Sequence, residues 1–250
     1  MSSLAATDDL QAIRLSSVAE SDRVRLLEAY RTQVYEPAFP EAEIRENPRY
    51  WLDLLGSSPY PPPPQPQIEG VLLADGETIV AGVTIEHYRT ARSGLLTYIS
   101  VAPQWRGRGI GRRLVRAARD ALDAMADADT PMFAETEPLE DAASPPEAAE
   151  TLLRQKRLAG LGARLVAFDY VMPPLRPDSA PHRLHLMLID PHQRWTTVEA
   201  SRVVALMREL AAALGADLAA SPETAGMMEA LAAADTLALQ PLPAVQDATR

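Results

Sequence analysis

Three glycines in alternate positions, Gly107, Gly109 and Gly111, stand between a strand-like and a helix-like segment, and no other stretch of the chain limits its fold as strongly. The run is Tyr98-Ile99-Ser100-Val101-Ala102-Pro103-Gln104-Trp105-Arg106-Gly107-Arg108-Gly109-Ile110-Gly111-Arg112-Arg113-Leu114. Leu95–Val101 is rich in β-branched and aromatic residues and reads as a strand, which Pro103 helps to end. Beyond the glycines, Ile110, Leu114, Val115, Ala118, Leu122 and Met125 recur at helical spacing, while Arg112, Arg113, Arg116 and Arg119 mostly take other faces. Glycine lets the backbone turn sharply and come close to a ligand. Several N–H groups then converge at a helix N-terminus, where orphan donors and the helix dipole both favour an anion. Arg106 and Arg108 add positive charge, and the helix arginines are either within reach of further phosphates or a solvated face.

The anion is not held as in the two common nucleotide loops. A phosphate loop of the Walker type ends in Gly-Lys-Ser/Thr, and here Gly111 is followed by Arg112-Arg113. A dinucleotide fingerprint needs G-x-G-x-x-G, whereas these glycines are spaced by two throughout.

Around this segment the pattern alternates. A first strand is expected over 10–15, then a helix capped at Ser21-Asp22 running through Leu26, Leu27 and Tyr30, and a second helix around Pro48–Leu55. The proline run at 61–66 is a loop. Val71–Ala74 and Thr78–Tyr88 flank Asp75-Gly76, a hairpin signal. Met132–Glu137 reads as a strand, Glu147–Leu161 as a helix stopped by Gly162, Leu165–Met172 and Arg183–Ile189 as strands, and Val198–Leu214 and Thr224–Ala233 as helices. The order implies a mixed α/β sheet with helices on both faces, antiparallel at the hairpin and parallel in the middle.

At 250 residues the chain suits one generous domain or one domain with an extension. It has no cysteine, hence no disulfide framework, thiolate metal site or cysteine nucleophile. A net charge of -10 argues against nonspecific nucleic-acid binding and weakly favours cationic substrates. The first residues carry no basic segment followed by an apolar run, and no stretch approaches the ~20 apolar residues of a membrane helix, so a cytoplasmic protein without membrane contact is expected.

Arg106-Gly107-Arg108-Gly109-Ile110-Gly111 resembles the R/Q-x-x-G-x-G/A motif of the GNAT superfamily of N-acetyltransferases, and Ile99-Ser100-Val101-Ala102-Pro103 resembles its fourth strand. The resemblance extends from about residue 10 to 190. It implies a GNAT-like sheet, largely antiparallel, whose parallel central strands splay at the acyl-CoA site with the thioester in the gap. It implies acetyl-CoA as co-substrate, its pyrophosphate on the amides and side chains of Arg106, Gly107, Arg108, Gly109, Ile110, Gly111 and Arg112, and its pantetheine arm on the backbone of Ile99, Ser100 and Val101. Residues 1–193 would form the acetyltransferase domain, 194–240 a C-terminal helical extension and 241–250 a flexible tail. The extension would either cap the acceptor site or form a homodimer contact. Many relatives carry, before a Gly-Phe pair, a tyrosine that protonates the leaving thiolate; here those places fall on Leu158 and Ala163, so that role does not carry over.

Acetyl transfer to an amine needs a proton acceptor, since alkyl amines have pKa values near ~10, and donors for the oxyanion. Glu135 and Glu137, expected on one face of the Met132–Glu137 strand, are candidate bases or solvated glutamates. Glu86 could line an acceptor pocket or a solvated face. Tyr98 and Tyr170 are candidate acids or packed aromatics. His182 and His185 would face opposite sides of a strand and make a poor metal pair, and no metal site is expected. The reading is transfer of an acetyl group from acetyl-CoA to a primary amine of a small molecule or peptide by direct attack. The alternative is an acyl-CoA-binding module that acts as sensor or scaffold.

Overall fold

The computed structural model describes residues 9–40, 46, 48–55, 61–175 and 179–243. The chain forms two compact units, one of residues 1–62, 66–87 and 96–128, the other of 63–65, 88–95 and 129–250. Their class is the mixed α/β one expected.

The first unit opens with β1 (Gln11–Arg14) and a 3-10 turn at Leu15–Ser17. Helix α1 (Glu20–Tyr30) passes through a π-helical turn at Arg31–Tyr35 into the single turn α2 (Glu36–Ala38); α3 spans Pro48–Leu54. The cap of α1 is Ala19, not Ser21-Asp22, and it makes no side-chain hydrogen bond. The start of the helix is held instead by Arg23, whose guanidinium donates to the carbonyls of Leu15 at 2.9 Å, Val18 at 3.2 Å and Leu55 at 2.6 Å. Strands β2 (Gln67–Asp75), β3 (Thr78–Tyr88) and β4 (Ser93–Val101) follow. The β2–β3 hairpin turns at Gly76, which has φ +58°, and β1 pairs antiparallel with the outer edge of β2. A buried carboxylate clips that edge. Glu69, 2% exposed, accepts from Arg14, from Ser16 N–H and hydroxyl, and from Gly70 N–H. Each donor offsets part of the several kcal/mol that burying an unpaired charge costs.

Helix α4 (Ile110–Met125) buries Ile110, Leu114, Val115, Ala118, Ala121 and Leu122 on one face, the stripe anticipated from its periodicity; Met125 is only half-buried. In β3, Gly82 lets Tyr30 lie against the strand, and the Tyr30 hydroxyl shares a 2.9 Å hydrogen bond with that of Ser100.

The second unit is built on β5 (Met132–Thr136), β8 (His182–Ile189), β6 (Ala163–Val166), β10 (Thr236–Gln240) and β9 (Thr197–Glu199) in that spatial order, with β7 (Tyr170–Met172) on the first half of β8. Its helices are α5 (Pro145–Gly160), α6 (Ala200–Leu214) and α7 (Pro222–Ala232). Ser144 caps α5 by accepting from Glu147 N–H, and Glu147 returns the bond from Ala143 N–H at 2.8 Å. The single strand expected over Leu165–Met172 is two, because the chain folds back at Phe168, whose N–H donates to the carbonyl of Val166 at 2.9 Å.

The C-terminal segment is not helical alone. Its first residues form β9 rather than the start of a helix, and β10 was not anticipated; β10 joins β6 on one edge and β9 on the other. Val203, Leu206, Met207, Met227, Leu231 and Leu237 share one core with Phe133, Tyr170, Leu186 and Leu188. Residues 194–240 are thus part of this unit's core. Glu209 of α6 accepts from the N–H groups of Thr90 and Ala91 at 3.2 and 2.8 Å. Of the tail expected to be flexible, residues 244–250 lie outside the described residues.

Gly82→Ala tests the packing of α1. A Cβ there would stand 2.5 Å from Tyr30 Cε2 and 3.0 Å from Leu72 Cδ2. The substitution should destabilise the protein by about 1–3 kcal/mol, a loss of roughly 2–12 °C in Tm; an unchanged Tm would show that Tyr30 is not held against the strand.

Candidate active site

Two features of the first unit make a candidate site: the glycine loop at the start of α4, and a group of aromatic and acidic side chains behind β4.

Loop geometry follows from its glycines. Gly107 has φ +78° and Gly109 φ +80°, and Gly109 is the N-cap of α4. Both conformations are left-handed, where a Cβ is penalised by roughly 1–2 kcal/mol. A Cβ built on either would meet nothing within 4 Å, so the glycines answer to backbone conformation and leave open space before the loop. Helix geometry leaves the first N–H groups of α4 without intrahelical acceptors. Among the described residues nothing accepts from the amides of Arg108, Gly109, Ile110 or Gly111. The loop is tied back to the strand by Arg106, whose Nε donates to the carbonyl of Val101 at 3.0 Å. The Arg108 guanidinium lies 5.3 Å from the centroid of the buried Trp105 ring. Arg106, Arg108 and Arg112 are exposed. Converging free amides, a helix N-terminus and exposed guanidinium groups suit a pyrophosphate.

In β4, Tyr98 and Ser100 are buried while Ile99 and Val101 are half-buried, so the strand presents alternate faces. Tyr98 lies in an aromatic cage. Its ring centroid is 5.0 Å from Tyr35, 5.4 Å from Phe39 and 5.6 Å from Trp51. Its hydroxyl accepts from Glu46 N–H at 3.0 Å. Burial, then the charge of Glu46, holds the phenol well above its ordinary pKa, so it stays protonated.

Glu46 was not anticipated. Its carboxylate accepts from Trp51 Nε1 at 2.8 Å and its carbonyl from the Tyr35 hydroxyl at 3.3 Å. Desolvation raises its pKa, opposed by the Trp51 hydrogen bond. Glu86 of β3 is buried, 3% exposed, rather than on a solvated face. Both carboxylates, with Asp53, act on the Tyr50 hydroxyl, which burial and then these charges push up to about 12. The segment from 30 to 65 held no motif from which this could be read; aromatics four apart at Tyr35 and Phe39 were the available signal.

The remaining candidates lie in the second unit, where two of them meet. The Tyr170 hydroxyl donates to Glu135. Tyr170 is 1% exposed in the core with α6 and α7. Burial first, then the Glu135 charge and hydrogen bond, hold its pKa well above the ordinary value. Glu135 is half-buried. Glu137 lies one residue beyond the end of β5. Glu137 precedes Pro138 and pairs with Arg154 of α5, both partly exposed. Leu158, where relatives carry the acidic tyrosine, is an apolar, buried residue of α5. His185 is half-buried, its pKa lowered chiefly by desolvation. Among the described residues no group of three or more His, Cys, Asp or Glu side chains could hold a metal, and no helix is long and apolar enough to cross a membrane.

Residues 27–144 match the acetyltransferase (GNAT) family. That match spans just under half of the 250 residues, and it includes the glycine loop and helix α4. Among curated proteins, none matches. Solved structures similar to the chain include an acyl-CoA N-acyltransferase from Pseudomonas aeruginosa, at 13% identity and TM-score 0.44, covering 73% of this chain and 100% of that one. ElaA from Escherichia coli shares 14% identity at TM-score 0.43, covering 71% and 97%. GCN5 from Tetrahymena shares 14% at TM-score 0.44, covering 74% and 100%.

The raised Glu46 carboxyl predicts a pH dependence. The folded state holds this proton more tightly than the unfolded one, so the stabilisation is present below the ordinary carboxylate pKa and is lost as pH rises through the folded value. Glu46→Gln removes that loss. The Tm of the variant minus that of the wild type should therefore increase between about pH 4 and pH 7; a constant difference would place Glu46 in water.

Proposed function

We propose that this protein transfers an acetyl group from acetyl-CoA to a primary amine of a small molecule or peptide by direct attack. The observation that carries the reading is the loop from Arg106 to Gly111: left-handed glycines, unpartnered amides at the N-terminus of a 16-residue helix, and open space in front of them. Acetyl-CoA supplies the activated acyl group. The amides of Arg108–Gly111, with Arg106 and Arg112, hold its pyrophosphate, and the backbone of Ile99, Ser100 and Val101 holds its pantetheine arm and donates to the developing oxyanion. Gly107 and Gly109 set the turn.

Glu86 and Glu46 favour a cationic acceptor, since a buried and a half-buried carboxylate near Tyr50 attract an ammonium group. Glu135 takes the amine proton and Tyr170 orients it. Tyr170 is not the acid: its proton is held by burial and shared with Glu135, so giving it to a thiolate is uphill. Glu137 is bound to Arg154 and Tyr98 is caged, which leaves neither free to move a proton. With no acid in the place of Leu158, the thiolate leaves to solvent.

The same lack of an acid favours a second reading, an acyl-CoA-binding module that turns over slowly or not at all.

Thermal unfolding and turnover separate these. Acetyl-CoA at one hundred times its Kd should stabilise the protein by about 2.7 kcal/mol, roughly 5–10 °C in Tm. Gly109→Asp, which sets a carboxylate against the phosphates, should abolish the shift. Glu135→Gln should keep the shift and lower kcat by about 10²–10⁴-fold on an amine the wild type acetylates. A shift without turnover on any amine would leave the binding module; no shift would remove both readings.

A further inference from the structure

Of the chain's 24 cationic side chains, 23 are arginines and one, Lys156, is a lysine. The two residue types differ in reactivity. A guanidinium stays protonated in proteins and offers no lone pair to an acyl group, whereas an ammonium releases its proton readily enough to become a nucleophile. Lys156 is thus the one side-chain alkylamine of this sequence that acyl transfer to a primary amine could consume.

The surroundings of Lys156 give no structural reason for a lysine. It lies on α5 and is exposed. Among the described residues it makes no hydrogen bond or ion pair. The carboxylates of α5 are Glu147 and Glu150, both more than a turn before it. Arg154 is the residue that pairs with Glu137, and Arg157 places a cation in the last turn, where the helix dipole favours one. An arginine at position 156 would serve the helix equally well. What distinguishes the lysine is its nucleophilic nitrogen.

We propose that Lys156 is a self-acetylation site, acylated by acetyl-CoA that the protein itself binds. The inference rests on the coenzyme reading above. The ammonium gives its proton to a solvent base, and the free Nζ attacks the thioester carbonyl. The C–N bond forms, the C–S bond breaks, and CoA leaves as a thiolate that takes a proton from solvent. The product is a neutral amide, so the net charge of -10 gains one negative unit. Arginine at the other 23 cationic positions confines the reaction to this place, and acetyl groups are not dispersed over the surface.

Intact-mass measurement with peptide mapping, after incubation with acetyl-CoA, tests this on the wild type, Lys156→Arg and Gly109→Asp. The wild type should gain one side-chain acetyl group, on Lys156. Lys156→Arg should keep the ligand-free Tm and the Tm shift with acetyl-CoA, yet gain no side-chain acetyl group. Gly109→Asp keeps the lysine but loses the bound coenzyme, and should be modified about tenfold or more slowly. Excess CoA, which competes for the loop, should slow the wild type likewise and does not depend on how well the variant folds. Modification that neither the variant nor CoA slows would be chemical acylation from solution and would overturn the proposal. An unmodified Lys156 in a protein whose Tm acetyl-CoA raises would also overturn it, while leaving the coenzyme reading intact. A wild type with neither a Tm shift nor an acetyl group would overturn both.

Discussion

Burial of one face of α4 is the constraint on which the candidate site depends. Ile110, Leu114, Val115, Ala118, Ala121 and Leu122 have a single way to leave water, so the helix can neither rotate nor slide without exposing them. Replacing one buried leucine there by alanine would cost about 2–5 kcal/mol. With the helix axis set, its N-terminus has one position, and the chain must turn from the end of β4 into it within the few residues that follow the Pro103–Trp105 turn. The backbone makes that passage with φ near +80° at Gly107 and Gly109, and among the described residues nothing accepts from the amides of Arg108 to Gly111. The unpartnered amides at this helix start are thus a by-product of packing, and exposed arginines stand beside them.

Elsewhere, buried carboxylates hold the edges. Glu69 gathers donors from β1 and the turn after it, and Glu209 holds the tip of the β3–β4 hairpin through the amides of Thr90 and Ala91. Each is nearly inaccessible yet well supplied with donors, which is how a buried charge is tolerated. Glu46 differs: desolvation dominates its surroundings and lifts its pKa. A carboxylate kept under tension beside an aromatic cage is better suited to meeting a cation than to bracing a fold.

The parts legible beforehand were those with local causes. The α4 stripe, the Asp75-Gly76 turn and the glycine loop follow from side-chain periodicity and from the φ values glycine allows. The misreadings arose where distant partners overruled local preference. Val198 and Glu199 read as the start of a helix but, with Thr197, pair with Thr236–Ala238, far along the chain. The cap of α1 fell on Ala19 because Arg23 reaches the carbonyls of Leu15 and Leu55. Glu135 and Glu137 gave no sign in the sequence of their separate partners, Tyr170 and Arg154.

The sequence by itself determined the mixed α/β class, the amphipathic helix and the turn that exposes backbone amides at its start, because these depend on periodicity and on φ values within a few residues. The pairing of distant groups came from the folded chain alone: the Tyr170 hydroxyl with the Glu135 carboxylate, the Tyr98 hydroxyl with the Glu46 N–H, the Glu209 carboxylate with the Ala91 N–H. Such contacts join residues that chain order keeps far apart, and the burial that shifts their proton affinities exists only once the cores have closed around them.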